Sequence, residues 1–232
     1  MNGCKEGMKN MKFLRLSLIL FIIMLWTVES RAEGLPVKDL PASGKSLNAF
    51  LSRGWTVEDQ ASGDLNGDGV SDISAILVQG KAGVSFRETD DDHRALIVLL
   101  GHDKGEFTLA GTNDRLLQCR GCGGVRESVG VSIRKEVIIV QQMTGSRDFS
   151  DETWRFRYHP QKQRFVIIGR DMESGDGMLG TGTIVSFNHL TGRKITKNYR
   201  YDKKADNKIV TSTKKENGSW KTPFMEDVKA SY

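Results

Sequence analysis

The stretch Asp72-Ile73-Ser74-Ala75-Ile76-Leu77-Val78 decides the fold, together with its counterpart Ala95-Leu96-Ile97-Val98-Leu99-Leu100. Each is a short apolar run bounded by turn-forming residues, which reads as a β-strand rather than a helix. Working outward, apolar or alternating runs recur at 131–133, 137–140, 153–158 and 165–168, then at 184–187, 195–201 and 208–213. Gly, Asp, Asn and Lys-rich segments separate them, with 202–207 as a turn, and that spacing predicts antiparallel strands joined by hairpins. Trp154, Phe156 and Tyr158 alternate with Arg155 and Arg157. Stacked aromatics beside cations would suit a nucleic-acid reader. Period two, however, puts aromatics and arginines on opposite faces, the pattern of a half-buried strand. Gly175-Asp176-Gly177 reads as a loop.

One helix is predicted, over 43–53, where Leu47, Phe50 and Leu51 fall at helical spacing, Ser43 or Ser46 offers a cap and Gly54 a stop. Residues 33–42, with Pro36 and Pro41, form an extended lead-in. No internal repeat marks a solenoid or propeller array. The expected fold is mainly β: antiparallel sheets of hairpins, sandwich-like or propeller-blade-like, in a single domain over 33–232 with one N-terminal helix.

The chain has 232 residues, 34 Lys and Arg against 29 Asp and Glu, and 25 Gly with only 4 Pro. That composition excludes collagen-like and low-complexity classes. The formal charge of +5 would suggest a nucleic-acid partner, but its distribution does not. Lys5, Lys9, Lys12 and Arg15 precede the apolar run Leu16 to Val28, and Ser30-Arg31-Ala32 supplies small residues at a cleavage site. Residues 1–32 therefore read as a secretory signal, with Met11 as an alternative start. The run is shorter than the roughly 20 residues a spanning helix needs, so no membrane span is expected after cleavage. Beyond the leader, 33–192 carry 18 positive and 22 negative residues, while 193–232 carry 11 and 5. The basicity sits in the leader and in a C-terminal segment read as a solvated basic hairpin, with contact to an anionic surface or glycan as the alternative. No nucleic-acid partner is expected, and the protein is expected to be periplasmic or secreted.

The sharpest motif is Asp64-Leu65-Asn66-Gly67-Asp68-Gly69-Val70-Ser71-Asp72. Oxygen donors recur at every second residue, Asp64, Asn66 and Asp68, so one curled loop can turn all three inward. Gly69 allows a sharp bend, Val70 offers a carbonyl, and Asp72 can close the shell. Hard oxygen ligands of this kind suit Ca²⁺ more than Mg²⁺. The same residues also favour a plain Asx-rich turn without metal. Strand 95–100 returning against 73–78 would bring the turn Gly101-His102-Asp103-Lys104-Gly105 to the same end, making Asp103 a possible additional ligand. The acidic run Glu88-Thr89-Asp90-Asp91-Asp92 falls at the opposite end, as a solvated hairpin tip.

The loop resembles the calcium loops of the EF-hand and dockerin families, and more closely those of FG-GAP repeats. The resemblance covers only about residues 64–78. Ala75 stands where an EF-hand has its bidentate Glu, and a strand rather than a helix follows, as in FG-GAP. The motif occurs once, so the propeller itself is not carried over.

Cys119 and Cys122 lie in Cys-Arg-Gly-Cys-Gly-Gly. In an exported chain a structural disulfide is the first reading, with redox-active or metal-bound pairs as alternatives. His93, His102, His159 and His189 show no paired metal spacing. No nucleophile elbow, phosphate loop or zinc-hydrolase signature is present. The sequence thus predicts an exported, non-enzymatic, calcium-stabilised β domain, a binding or structural module for a protein or glycan partner. The alternatives are an extracytoplasmic hydrolase with a carboxylate or metal-assisted site, and a thiol–disulfide protein using Cys119 and Cys122.

Overall fold

A strand whose side chains are apolar on both faces must be covered on both, and that requirement organises the molecule. The computed structural model describes residues 34–80, 92–220 and 222–230. The expected leader at 1–32 and the acidic residues 88–91 lie outside the described residues. Among the described residues, twelve strands form two antiparallel sheets. The first contains β1 (Ser43–Gly44), β2 (Trp55–Gly63), β3 (Asp72–Gln79), β4 (Arg94–His102) and β5 (Glu106–Asn113), in the order β1-β5-β4-β3-β2. The second is a meander of β6 (Ser128–Arg134), β7 (Val137–Gly145), β8 (Asp148–His159), β9 (Arg164–Asp176), β10 (Thr181–Asn188), β11 (Arg193–Asp202) and β12 (Asn207–Asn217).

The two quoted runs are β3 and β4, paired with Ile73 opposite Leu99 and Leu77 opposite Ala95. Their inner face, Ile76, Leu96, Val98 and Leu100, shares one core with Val131, Ile138, Val140, Trp154, Phe156, Phe165 and Ile167 of the second sheet. Their outer face, Ala75, Leu77, Ala95, Ile97 and Leu99, is covered by Leu35, Leu47, Phe50 and Trp55. The sheets meet along β2 and β6, where Asp59 accepts the Val131 N–H at 2.8 Å. On the other side Met225 and Val228 join the shared core, held by Asn113, which donates to both their carbonyls at 2.5 and 2.8 Å.

The mainly-β reading holds, and the nine strands expected from the runs are all present, each longer than expected. Trp154 and Phe156 are buried, while Arg155 points outward to Asp171 at 2.6 Å, as period two requires. The helix expected over 43–53 is replaced by β1 and a single 3-10 turn, Leu47–Phe50. Its Leu47 and Phe50 are buried against the sheet, so their i, i+3 spacing serves a cover segment rather than a helix. Gly175-Asp176 is strand, not loop: Gly175 pairs with both Phe149 and Gly182. The basic hairpin ends at Asn217, and 222–230 return to the core. Asp92, expected at a solvated tip, forms a half-buried ion pair with Arg120. No helix among the described residues is long and apolar enough to cross a membrane.

Candidate functional site

The loop leading into β3 is closed by its own side chains. Asp64 accepts the Gly67 N–H at 2.7 Å on one oxygen and the Gly69 N–H at 2.9 Å on the other. Asn66 accepts the Asp68 N–H at 3.1 Å, and Asp68 accepts the Val70 N–H at 2.8 Å. The Asn66 amide donates to the second Asp68 oxygen at 2.8 Å. Gly67 and Gly69 both adopt positive φ, +80° and +82°, which a side chain would oppose. Asp68 stands at the exposed tip, and the Val70 N–H and Asn66 amide hold its carboxyl below the ordinary carboxylate range.

Asp72 is the buried member of the set, 0% exposed. One of its oxygens accepts the Leu65 N–H at 2.7 Å and the other the Gly101 N–H at 2.8 Å. Burial pushes its carboxyl up despite those two donors. Asp72 therefore joins both ends of the loop to the end of β4, just before the β4–β5 turn. Gly101 fits there because it lacks a side chain: a Cβ would stand 2.4 Å from the Ser71 carbonyl oxygen. Asp103 lies exposed in the β4–β5 turn that follows, at the same end of the sheet as the loop.

The donors are thus gathered in one loop, but their oxygens face the loop's own N–H groups. Among the described residues no cluster of three or more His, Cys, Asp or Glu is arranged to hold a metal. A carboxylate has about four acceptor positions, so one N–H per oxygen leaves lone pairs unfilled on Asp64 and Asp68.

Cys119 and Cys122 form a disulfide with Cα atoms 5.3 Å apart. Their loop rests on a buried ion-pair network. Arg94, at the start of β4, pairs with Glu58 at 2.6 Å and Glu127 at 2.5 Å, and donates to the Gln118 and Cys119 carbonyls at 3.3 Å. Glu127 in turn accepts the Gly121 and Gly123 N–H groups at 2.9 and 3.2 Å. The pair sits in a loop rather than at a helix N-terminus.

A third cluster lies on the outer face of the second sheet. Asp151 and Glu173 are cross-strand partners on β8 and β9. Glu173 accepts from the Tyr199 hydroxyl at 2.6 Å and from Lys208 at 2.5 Å. Tyr199 reaches it by lying over Gly182, whose Cβ would stand 2.5 Å from the phenol oxygen. Burial and then the Glu173 charge raise the Asp151 carboxyl, with Lys208 opposing.

No family model, curated protein or solved structure matches this chain.

The motif residues were legible from their two-residue spacing. Arg94, Glu58 and Glu127 were not, because separations of 36 and 33 residues leave no local pattern. Leu65, 1% exposed, is the hidden anchor of the loop. Its signal was an apolar residue between two oxygen donors.

Proposed function

We propose that this chain is an exported, non-enzymatic β domain, stabilised by Ca²⁺ at its aspartate loop, that serves as a binding or structural module for a protein or glycan partner. One observation carries the calcium reading: the loop's alternate oxygen donors are mechanically tied, through buried Asp72, to β3 and to the end of β4. A cation held by Asp64, Asn66, Asp68 and the Val70 carbonyl, with Asp72 behind, would tighten the entry to the most buried strand pair. Asp103, in the neighbouring turn, is the natural additional donor. Asp68 at an exposed tip suits a structural ion open to solvent rather than one enclosed with a substrate. The basic leader and apolar run support export.

The test is thermal melting of the purified protein with chelator and with added Ca²⁺, alongside elemental analysis. A ligand present at a hundred times its Kd stabilises by about 2.7 kcal/mol, so Ca²⁺ should raise Tm and chelator should lower it. Asp68→Asn should remove most of the difference while leaving the fold intact, since asparagine can still accept the Val70 N–H. Equal melting temperatures under all three conditions, with no bound calcium, would sink the reading. In that event the hydrogen bonds within the loop suffice to order it.

A further inference from the structure

The outer half of the second sheet combines two features that a soluble surface seldom shows together. The first is charge. Over Arg193–Asn217, the β11–β12 hairpin, nine Lys and Arg stand against three Asp and Glu. All three acids are already engaged: Asp202 accepts the Lys204 and Ala205 N–H groups, Asp206 accepts the Tyr201 hydroxyl, and Glu216 pairs with Lys194 and Lys214. Arg193, Lys197, Arg200, Lys203, Lys204 and Lys215 have no ion-pair partner among the described residues.

The second feature is apolar exposure. Of the eight large hydrophobic side chains exposed among the described residues, six belong to this region: Met178, Leu179, Leu190, Tyr201, Val210 and Trp220. Met178 and Leu179, 67% and 68% exposed, occupy the β9–β10 turn, and Leu190, 63% exposed, the β10–β11 turn at the other end. Trp220 sits beside Leu190's turn, donating to the Gly192 carbonyl at 3.1 Å. Neither apolar core contains a residue of β10, β11 or β12. Nothing described covers this surface, and an apolar patch rimmed by charge marks an interaction site.

We propose that the β10–β12 face docks on an anionic lipid bilayer. Lipid phosphates would neutralise the unpaired cations of the hairpin, whose aliphatic stems reach the headgroup level. Met178 and Leu179 at one end, with Leu190 and Trp220 at the other, would enter the headgroup–acyl boundary, where Trp and apolar side chains settle. A nucleic acid or other soluble polyanion would engage the cations but would gain nothing from aliphatic tips at both ends of a sheet. That difference selects lipid. The acidic body, with 22 negative against 18 positive residues over 33–192, would be oriented away from the membrane. The proposal does not depend on calcium at the aspartate loop.

Co-sedimentation with vesicles tests it, using phosphatidylcholine alone and phosphatidylcholine containing 30% phosphatidylglycerol. All variants are compared on the same chain, so any contribution from residues 1–33 is common to each. The parent should partition onto the anionic vesicles and be released by high salt. Replacing Arg193, Lys197 and Lys215, which alternate onto one face of the hairpin, together by Gln should weaken that binding by about fivefold per cation removed. Met178→Ser with Leu179→Ser should also weaken it at unchanged net charge, and melting curves confirm that both variants fold. Failure to bind anionic vesicles at low salt overturns the proposal. So does binding to soluble polyglutamate of equal strength that ignores the Met178 and Leu179 changes. Parent binding to neutral vesicles as strongly as to anionic ones, or anionic binding unchanged in the charge variant, overturns the electrostatic half and with it the proposal.

Discussion

β3–β4 and β11–β12 are both antiparallel pairs of comparable length, yet opposite forces make them strands. In β3–β4 the side chains from Ala75 to Val78 and from Ala95 to Leu99 are fully buried, and two separate clusters cover the two faces. Non-local burial fixes that pair. In β11–β12 only Tyr199 is buried, and neighbouring strands are laced by polar side chains. Thr183 donates to Asn198 at 2.8 Å, and Asn198 donates to Ser212 at 2.9 Å, a ladder across three strands. Asp202 caps the connecting turn through the Lys204 N–H at 2.9 Å. The lesson is that one strand content can conceal two kinds of stability, one distributed through the core and one local to a hairpin.

Removing a cation from each pair should separate the two kinds of stability most widely. The Arg94 side chain is 3% exposed and answers two carboxylates, whereas that of Lys214 is 72% exposed. Arg94→Met leaves Glu58 and Glu127 facing each other without compensation and should cost about 3–5 kcal/mol in urea unfolding. It should also free the Gln118–Gly123 segment, read as faster amide exchange at Gly121 and Gly123. Lys214→Met should change stability by less than about 1 kcal/mol. Similar losses from the two would mean that the basic hairpin is not locally held. Truncating one apolar side chain in each pair gives a smaller contrast. Ile97→Ala, at a fully buried position, should cost about 2–4 kcal/mol. Val210→Ala, at 48% exposure, should stay within about 0.5 kcal/mol.

The same contrast explains what the sequence disclosed. Runs such as Ala95 to Leu100 carry their own signal because every residue is apolar. β2 and β5 do not: Thr56 to Gly63 holds Glu58, Asp59 and Gln60 in succession, and Glu106 to Asn113 has no clean alternation. They become strands by pairing with β3 and β4, a tertiary effect outside any short window. The 43–53 segment misled for the converse reason, since Leu47 and Phe50 satisfy a helical period and a 3-10 cover turn equally well. At the loop, spacing located Asp64, Asn66, Asp68 and Asp72. It did not reveal that Asp72 is wholly buried, because that depends on Gly101 arriving from another hairpin.

The finest distinction lies where the two regimes meet, at Asp151. It is half-buried on β8 opposite Glu173, and no hydrogen-bond donor reaches its carboxylate among the described residues. Burial and the Glu173 charge raise its pKa above that of the unfolded chain, about 3.9. Between those two values the folded state holds the proton more tightly, so stability falls as pH rises through the window. Above the folded value the full cost is present. Below the unfolded value it vanishes, because both states are protonated. Asp151→Asn removes the charge but keeps the shape, and should raise stability at pH 7 by a few tenths of a kcal/mol after solvent screening. The gain over the parent should shrink as pH approaches 4. Melting curves across pH 4–7 read both effects. A loss of stability at pH 7 would instead mean that Asp151 is needed as an anion, held by Lys208 across the sheet as part of the same network that binds Glu173.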